Sequence, residues 1–73
     1  MTMDYVPVSS STLESVGFDG DTQTLAITFR NGTEYHYYNV PMYIFEGIRS
    51  ASSPGRAFDE TVKKAGFLFA RVR

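Results

Sequence analysis

The sequence predicts an α+β domain: a three-stranded antiparallel meander packed against two short helices, with an optional short C-terminal strand. Two observations carry the sheet. Leu25, Ile27 and Phe29 alternate with Thr24, Ala26 and Thr28, the period of two of a half-buried strand. Asn31-Gly32 follows, a hairpin signal, and then the aromatic run Tyr35-His36-Tyr37-Tyr38, whose residue types favour strands. A third observation carries the helices. Beyond Asn39-Val40-Pro41 the apolar spacing becomes Val40, Ile44, Ile48 and Ala51, one stripe of a helix. Helices laid over one face of a meander are the simplest way to bury both patterns.

Residues 1–10 read as a flexible N-terminal arm, and residues 11–73 as a single domain. Pro7 and the serines Ser9, Ser10 and Ser11 suit an extended or turning segment, with Val6 and Val8 resting on the sheet edge. Leu13, Val16 and Phe18 form the first strand of the meander. Their alternation breaks after Leu13, which places a β-bulge near Ser15. Asp19-Gly20-Asp21 is a hairpin turn. It has too few ligands for a calcium loop.

The turn at Asn31-Gly32 decides which aromatics face inward. A two-residue loop pairs Arg30 with Thr33 and sends His36 and Tyr38 to the side of Ile27 and Leu25. A three-residue loop, Arg30-Asn31-Gly32 with Gly32 left-handed, pairs Ile27 with Tyr35 and Leu25 with Tyr37. One residue of loop length swaps the faces. The second register is the expected one. It gathers Leu25, Ile27, Phe29, Tyr35 and Tyr37 on one face, and leaves His36 and Tyr38 on the other.

Asn39 is a plausible cap for the first helix, with Pro41 tolerated in its first turn. Tyr43 and Gly47 widen its buried stripe, and Met42 and Phe45 lie to the side, partly exposed. Gly47 implies a close approach to the sheet. Ala51-Ser52-Ser53-Pro54-Gly55 ends this helix, and a second runs from Arg56 or Ala57 to Ala65. Its apolar stripe is Phe58, Val62 and Ala65. Asp59 and Glu60 at its start and Lys63 and Lys64 at its end match the helix dipole. Gly66 stops it. Phe67 to Val72 is a last strand or an extended tail.

At 73 residues the chain buries only about 60% of its unfolded surface, so the core is thin. It has no cysteine to staple it. Six Phe and five Tyr supply the bulk. No apolar run approaches the ~20 residues of a membrane span, and no secretory signal opens the chain, so the expected location is cytoplasmic. The net charge of −1 is unevenly divided. Residues 1–40 carry five acids against Arg30, and residues 41–73 carry six bases against three acids.

Little catalytic chemistry is available. One histidine and no cysteine exclude a zinc cluster and a cysteine nucleophile. A serine triad would need His36, which sits mid-strand. No metal, cofactor or enzyme activity is expected. Ser52-Ser53-Pro54-Gly55-Arg56 reads as a cap and connecting turn more readily than as a phosphate cradle.

Ser15-Val16-Gly17-Phe18-Asp19, Leu25-Ala26-Ile27-Thr28-Phe29, Asn31-Gly32, Tyr35-His36-Tyr37, Val40-Pro41 and Ala51-Ser52-Ser53-Pro54-Gly55 with Phe58 together resemble the KTSC domain family. That family occurs at the C-terminus of some lysyl-tRNA synthetases and as small stand-alone bacterial and phage proteins. Its tyrosine-any-tyrosine motif looks like Tyr35-His36-Tyr37. The resemblance implies no catalytic residues, and the synthetase context implies RNA binding. The stretch Ala65-Gly66-Phe67-Leu68-Phe69 departs from the family's more polar pattern.

The functional expectation is a non-catalytic accessory module for tRNA or single-stranded RNA. Arg30, Arg49, Arg56, Lys63, Lys64 and Arg71 would meet phosphates, and His36 and Tyr38 would stack bases. The alternative is a small protein-interaction or homo-oligomerisation module, with a protein partner or a second copy in place of RNA.

Overall fold

A computed structural model describes residues 3–73. Five antiparallel strands form one sheet, in which each strand pairs with the next in sequence. They are β1 (Asp4–Pro7), β2 (Leu13–Asp19), β3 (Thr24–Phe29), β4 (Glu34–Tyr37) and β5 (Phe69–Arg71). Helix α1 (Met42–Ser50) and helix α2 (Pro54–Phe58) lie between β4 and β5. A π-helical turn, Asp59–Lys63, prolongs α2.

The expected three strands are therefore five. The central meander is the predicted one, and a strand has been added at each edge. The segment expected as a loose arm supplies β1, apart from Met1 and Thr2, which lie outside the described residues. The optional C-terminal strand is β5. Both edges escape a reading by periodicity for the same reason: each has one neighbour, and neither is steadily buried on alternate residues. Pro7 also argues against a strand unless that strand is an edge, which β1 is.

The inner register follows the three-residue loop. Leu25 opposes Tyr37, Ile27 opposes Tyr35, and Ala26 opposes His36. The Phe29 N–H donates to the Thr33 carbonyl at 2.8 Å, closing the loop. Gly32 takes φ +93°, a conformation that L side chains rarely adopt. The bulge in β2 falls between Leu13 and Ser15, as expected.

This register sorts the sheet into two faces. Phe18, Leu25, Tyr37 and Phe69 form one cross-strand row, and Val6, Val16, Ile27, Tyr35 and Arg71 form the next. Both rows face the helices. Leu13, Val16, Leu25, Ile27, Val40, Ile48 and Val62 are fully buried in the resulting core. Each such side chain contributes roughly 1.5–3 kcal/mol by leaving water.

The helices differ from expectation in detail. Asn39 does not cap α1. It takes φ +58°, and Pro41 stands at the cap position. Phe45, expected to one side, is buried and stacks on Phe18 with ring centroids 5.5 Å apart. Tyr43, expected in the stripe, is exposed. Val40 precedes the helix, and its buried face is Ile44, Phe45 and Ile48. Gly47 makes no close approach, since an added Cβ would meet nothing within 4 Å. Pro54 opens α2 at its first position, where its missing N–H costs nothing. Phe58 from α2 packs edge-on between Phe29 and Tyr37.

Candidate functional site

Two features stand out, one on each side of β4. The first is a groove of about 420 Å³ between β4, β5 and the π-helical turn. Its walls are aromatic: Phe29, Tyr35, Tyr37, Phe58, Phe67 and Phe69. β5 makes this possible. Its pairing with β4 sets Phe69 beside Tyr37, and the ring reaches both motif tyrosines, at 5.4 Å from Tyr37 and 5.9 Å from Tyr35. Tyr35 and Tyr37 stack on each other at 6.5 Å. Tyr37 is buried, and burial pushes its phenol above the ordinary range. Phe69 remains 59% exposed, so an aromatic face is open to the groove mouth.

The groove's polar margin carries positive charge. Lys63 lines it, and among the described residues its only ion-pair partner is Asp59 at 3.9 Å, with both side chains exposed. Such a pair is worth little in water and leaves the ammonium free to exchange partners. Arg71 is the β5 partner of Tyr35, on the same side of the sheet. Asn31 and Thr33 complete the margin. The Asn31 side-chain oxygen accepts from the Thr33 N–H at 3.0 Å and its hydroxyl at 2.7 Å, which fixes the amide in place.

The second feature is a polar clasp on the helix-free face. Tyr5, Gly17, Ala26, His36 and Ala70 form one row there, and Ser15, Thr28 and Glu34 another. Three strand spacings separate β1 from β4, about 14 Å at ~4.8 Å each. The Tyr5 and Glu34 side chains close that span, and the Tyr5 hydroxyl donates to Glu34 Oε2. Gly17 leaves room for this. A Cβ there would sit 3.1 Å from the Tyr5 ring and 3.1 Å from the Asp4 carbonyl oxygen. His36 Nε2 lies 2.8 Å from Glu34 Oε2, and an Arg73 guanidinium nitrogen lies 3.0 Å from Oε1.

Arg73 reaches this face because β5 ends in a bulge. The Val72 and Arg73 N–H groups both donate to the Glu34 carbonyl, and the Glu34 N–H donates to the Arg73 carbonyl. The extra residue resets the alternation and places Arg73 beside Glu34. Burial pushes the Glu34 carboxyl upward, but hydrogen bonds from Tyr5 and His36 and the charge of Arg73 outweigh it, so the net shift is downward. For Tyr5, burial first and then the Glu34 carboxylate push the phenol up to about 12.

The structure brings only some of the predicted site residues together. Tyr35, Tyr37 and Lys63 line the groove, Arg71 is the β5 partner of Tyr35 with its Nε donating to the Arg73 carbonyl at 3.3 Å, and Lys64 follows Lys63 at the end of the turn. Arg56 lies in α2. Arg49 ends α1, paired with Glu46 at 3.2 Å and lying over the Phe45 ring. Arg30 donates to the Ser10 carbonyl at 2.6 Å and so ties the β3–β4 loop to the segment before β2. His36 faces the other way and is held by Glu34. Tyr38 follows β4, with its N–H on the Leu68 carbonyl. Phe67, Phe69, Asn31 and Thr33 were missed as groove residues, and Tyr5, Glu34 and Arg73 as clasp residues. The alternation of Phe67 and Phe69 was the available signal for the groove. For the clasp it was the parity that puts Glu34 on the same face as His36.

A family model, the KTSC domain, matches residues 9–67. The chain belongs to the KTSC domain family. KTSC is a small non-catalytic domain. The crystal structure of a KTSC domain protein from Yersinia pestis has a TM-score of 0.88 to this chain at 40% identity, covering 99% of this chain and 100% of that one. A protein of Tsukamurella paurometabola is 42% identical over 57 residues, 78% of this chain and 85% of that one. A lysine–tRNA ligase of Nostoc punctiforme is 34% identical over 53 residues, 73% of this chain but 9% of the ligase. Among the described residues of this KTSC domain, no group of three or more His, Cys, Asp or Glu side chains could hold a metal ion. Among those residues, no helix is long and apolar enough to cross a membrane.

Proposed function

We propose that this KTSC domain is a non-catalytic accessory module that binds an unpaired stretch of RNA in the cytoplasm. The observation that carries the reading is the aromatic groove with Lys63 on its margin. Bases take the open face of Phe69 and the neighbouring Tyr35 as stacking platforms, and Lys63, Lys64 and Arg71 meet the phosphates. This assigns stacking to the groove rather than to His36, which Glu34 occupies on the opposite face. Arg49, Arg56 and Arg30 contribute at most diffuse attraction from the rest of the surface. The local likeness to a lysine–tRNA ligase supports an RNA context.

The test is fluorescence anisotropy with a labelled single-stranded oligoribonucleotide and with tRNA, across a salt series. Binding should weaken as salt rises, with a log–log slope of about −0.7 per neutralised phosphate for a single strand. Phe69→Ala should weaken it by about 1–3 kcal/mol without changing that slope, because it removes a stacking face and no charge. Replacing Lys63, Lys64 and Arg71 together by Ala should flatten the slope. Failure to bind either RNA at low salt overturns the reading.

A further inference from the structure

The two edges of the sheet are not equivalent. On β1, the Val8 N–H donates to the Glu14 carbonyl, so by alternation Tyr5 and Pro7 turn their backbone groups outward. Pro7 has no N–H to offer there, which blunts the edge. On β5, Leu68 and Val72 bond β4 through the Tyr38 N–H and the Glu34 carbonyl. Phe69 and Arg71 therefore present their N–H and C=O groups away from the sheet. No proline interrupts this edge, and Leu68 (74%), Phe69 (59%) and Val72 (48%) are the exposed apolar side chains along it.

We propose that β5 is a self-recognition edge, pairing antiparallel with β5 of a second copy about a two-fold axis at Ala70. One register satisfies every outward group. Phe69 and Arg71 of one copy exchange both hydrogen bonds with Arg71 and Phe69 of the other. On the helix-covered side, each guanidinium then lies against a phenyl ring. On the clasp side, Leu68 meets Val72, apolar against apolar, and the small Ala70 sits at the axis. A shift by one step in either direction sets Arg71 against Arg71 or Phe69 against Phe69 and leaves outward groups unpaired. The interface is short, so it belongs to the weak, concentration-dependent class. This pairing does not depend on RNA.

Two measurements decide it. Sedimentation of the chain over roughly a hundred-fold range of concentration should show mass rising from monomer to dimer. Arg71→Pro removes one outward N–H while sparing the bonds to β4, and should hold the chain monomeric. Should that variant fail to fold, Phe69→Lys decides, because its side chain is exposed. It sets like charges across the axis and should raise the dissociation constant at least about tenfold.

The second measurement fixes the register. The chain has no cysteine, so Ala70→Cys introduces one thiol. Ala70 and its copy form a non-hydrogen-bonded pair with Cα atoms about 4.5 Å apart, within disulfide range. Mild oxidation should link this variant to itself rapidly, and a Ser52→Cys control should not follow. A strict monomer at every concentration overturns the proposal. So does a dimer that survives both edge variants, or one that Ala70→Cys fails to link.

Discussion

On the helix-covered face, Phe18, Leu25, Ile27 and Tyr37 are kept from water by bulk, with Phe45 stacked above and Phe58 wedged between Phe29 and Tyr37. On the opposite face no helix is present, yet Gly17, Ala26 and Thr28 are also buried. There the cover is the Tyr5 and Glu34 side chains, joined by a hydrogen bond and secured by His36 and Arg73, with the Met3 side chain also over Gly17. The first face tolerates a missing bond but not a missing volume. The second has little volume to lose and depends on one carboxylate being fully partnered. A chain too short for a second layer can thus keep both faces dry when the uncovered face carries small residues beneath a polar strap.

Substitutions that act on one face only sharpen this contrast. Ile48→Ala, on the helix side, should cost the most, about 2–5 kcal/mol by urea unfolding. That is a large share of the ~5–15 kcal/mol a small domain has. Loss below about 1 kcal/mol would mean that the helix layer is not what dries that face. Gly17→Ala should follow at about 1–3 kcal/mol, because its Cβ lands on backbone as well as on the Tyr5 ring. The loss should be local, with faster hydrogen exchange in β1 and little change in α1.

Glu34→Gln should cost about 1–3 kcal/mol at neutral pH and alter the pH profile as well. The folded carboxyl lies below its ordinary value of 4.5. Its contribution is therefore complete above the unfolded value and is lost as pH falls through the lower folded value. Unfolding free energy measured at descending pH should drop in that window for the native chain and drop less for Glu34→Gln. Tyr5 gives the opposite limb. Its phenol rises from 10.0 to about 12, so its contribution fades as pH climbs through that interval. Tyr5→Phe should remove this alkaline fall. Profiles that are unchanged in both variants would show the clasp to be idle. The smallest effect should be Gly47→Ala, a gain of up to ~1 kcal/mol in thermal unfolding, since no neighbour opposes the methyl group. A loss there would reveal a contact that α1 does not have in this structure.

The helix-covered face was the legible one. Leu25, Ile27, Ile44, Ile48 and Phe58 announce themselves by spacing, and the three-residue loop follows from Gly32 and the apolar set it gathers. The β1 and β5 edges were not legible, because a strand with one neighbour needs no alternating burial and Pro7 reads as a loop. Of the groove residues, Tyr35, Tyr37 and Lys63 stood out in the sequence, but as core and surface positions and not as one site. The rest of the groove depends on where β5 lays Phe69, which is a long-range pairing. The clasp was hidden for a different reason. Its members are 29 and 39 residues from Glu34, and Arg73 joins only through a bulge whose hydrogen bonds leave no mark in composition.

The Glu34 carboxylate holds Tyr5 on one oxygen and Arg73 on the other, so residues near opposite termini arrive at the same point. That one carboxylate therefore ties both edge strands to β4 through side chains alone, although the β1 and β5 backbones stand four strand spacings apart, about 19 Å. Loosening it frees the two edges together, and hydrogen exchange should quicken in β1 and β5 as a pair.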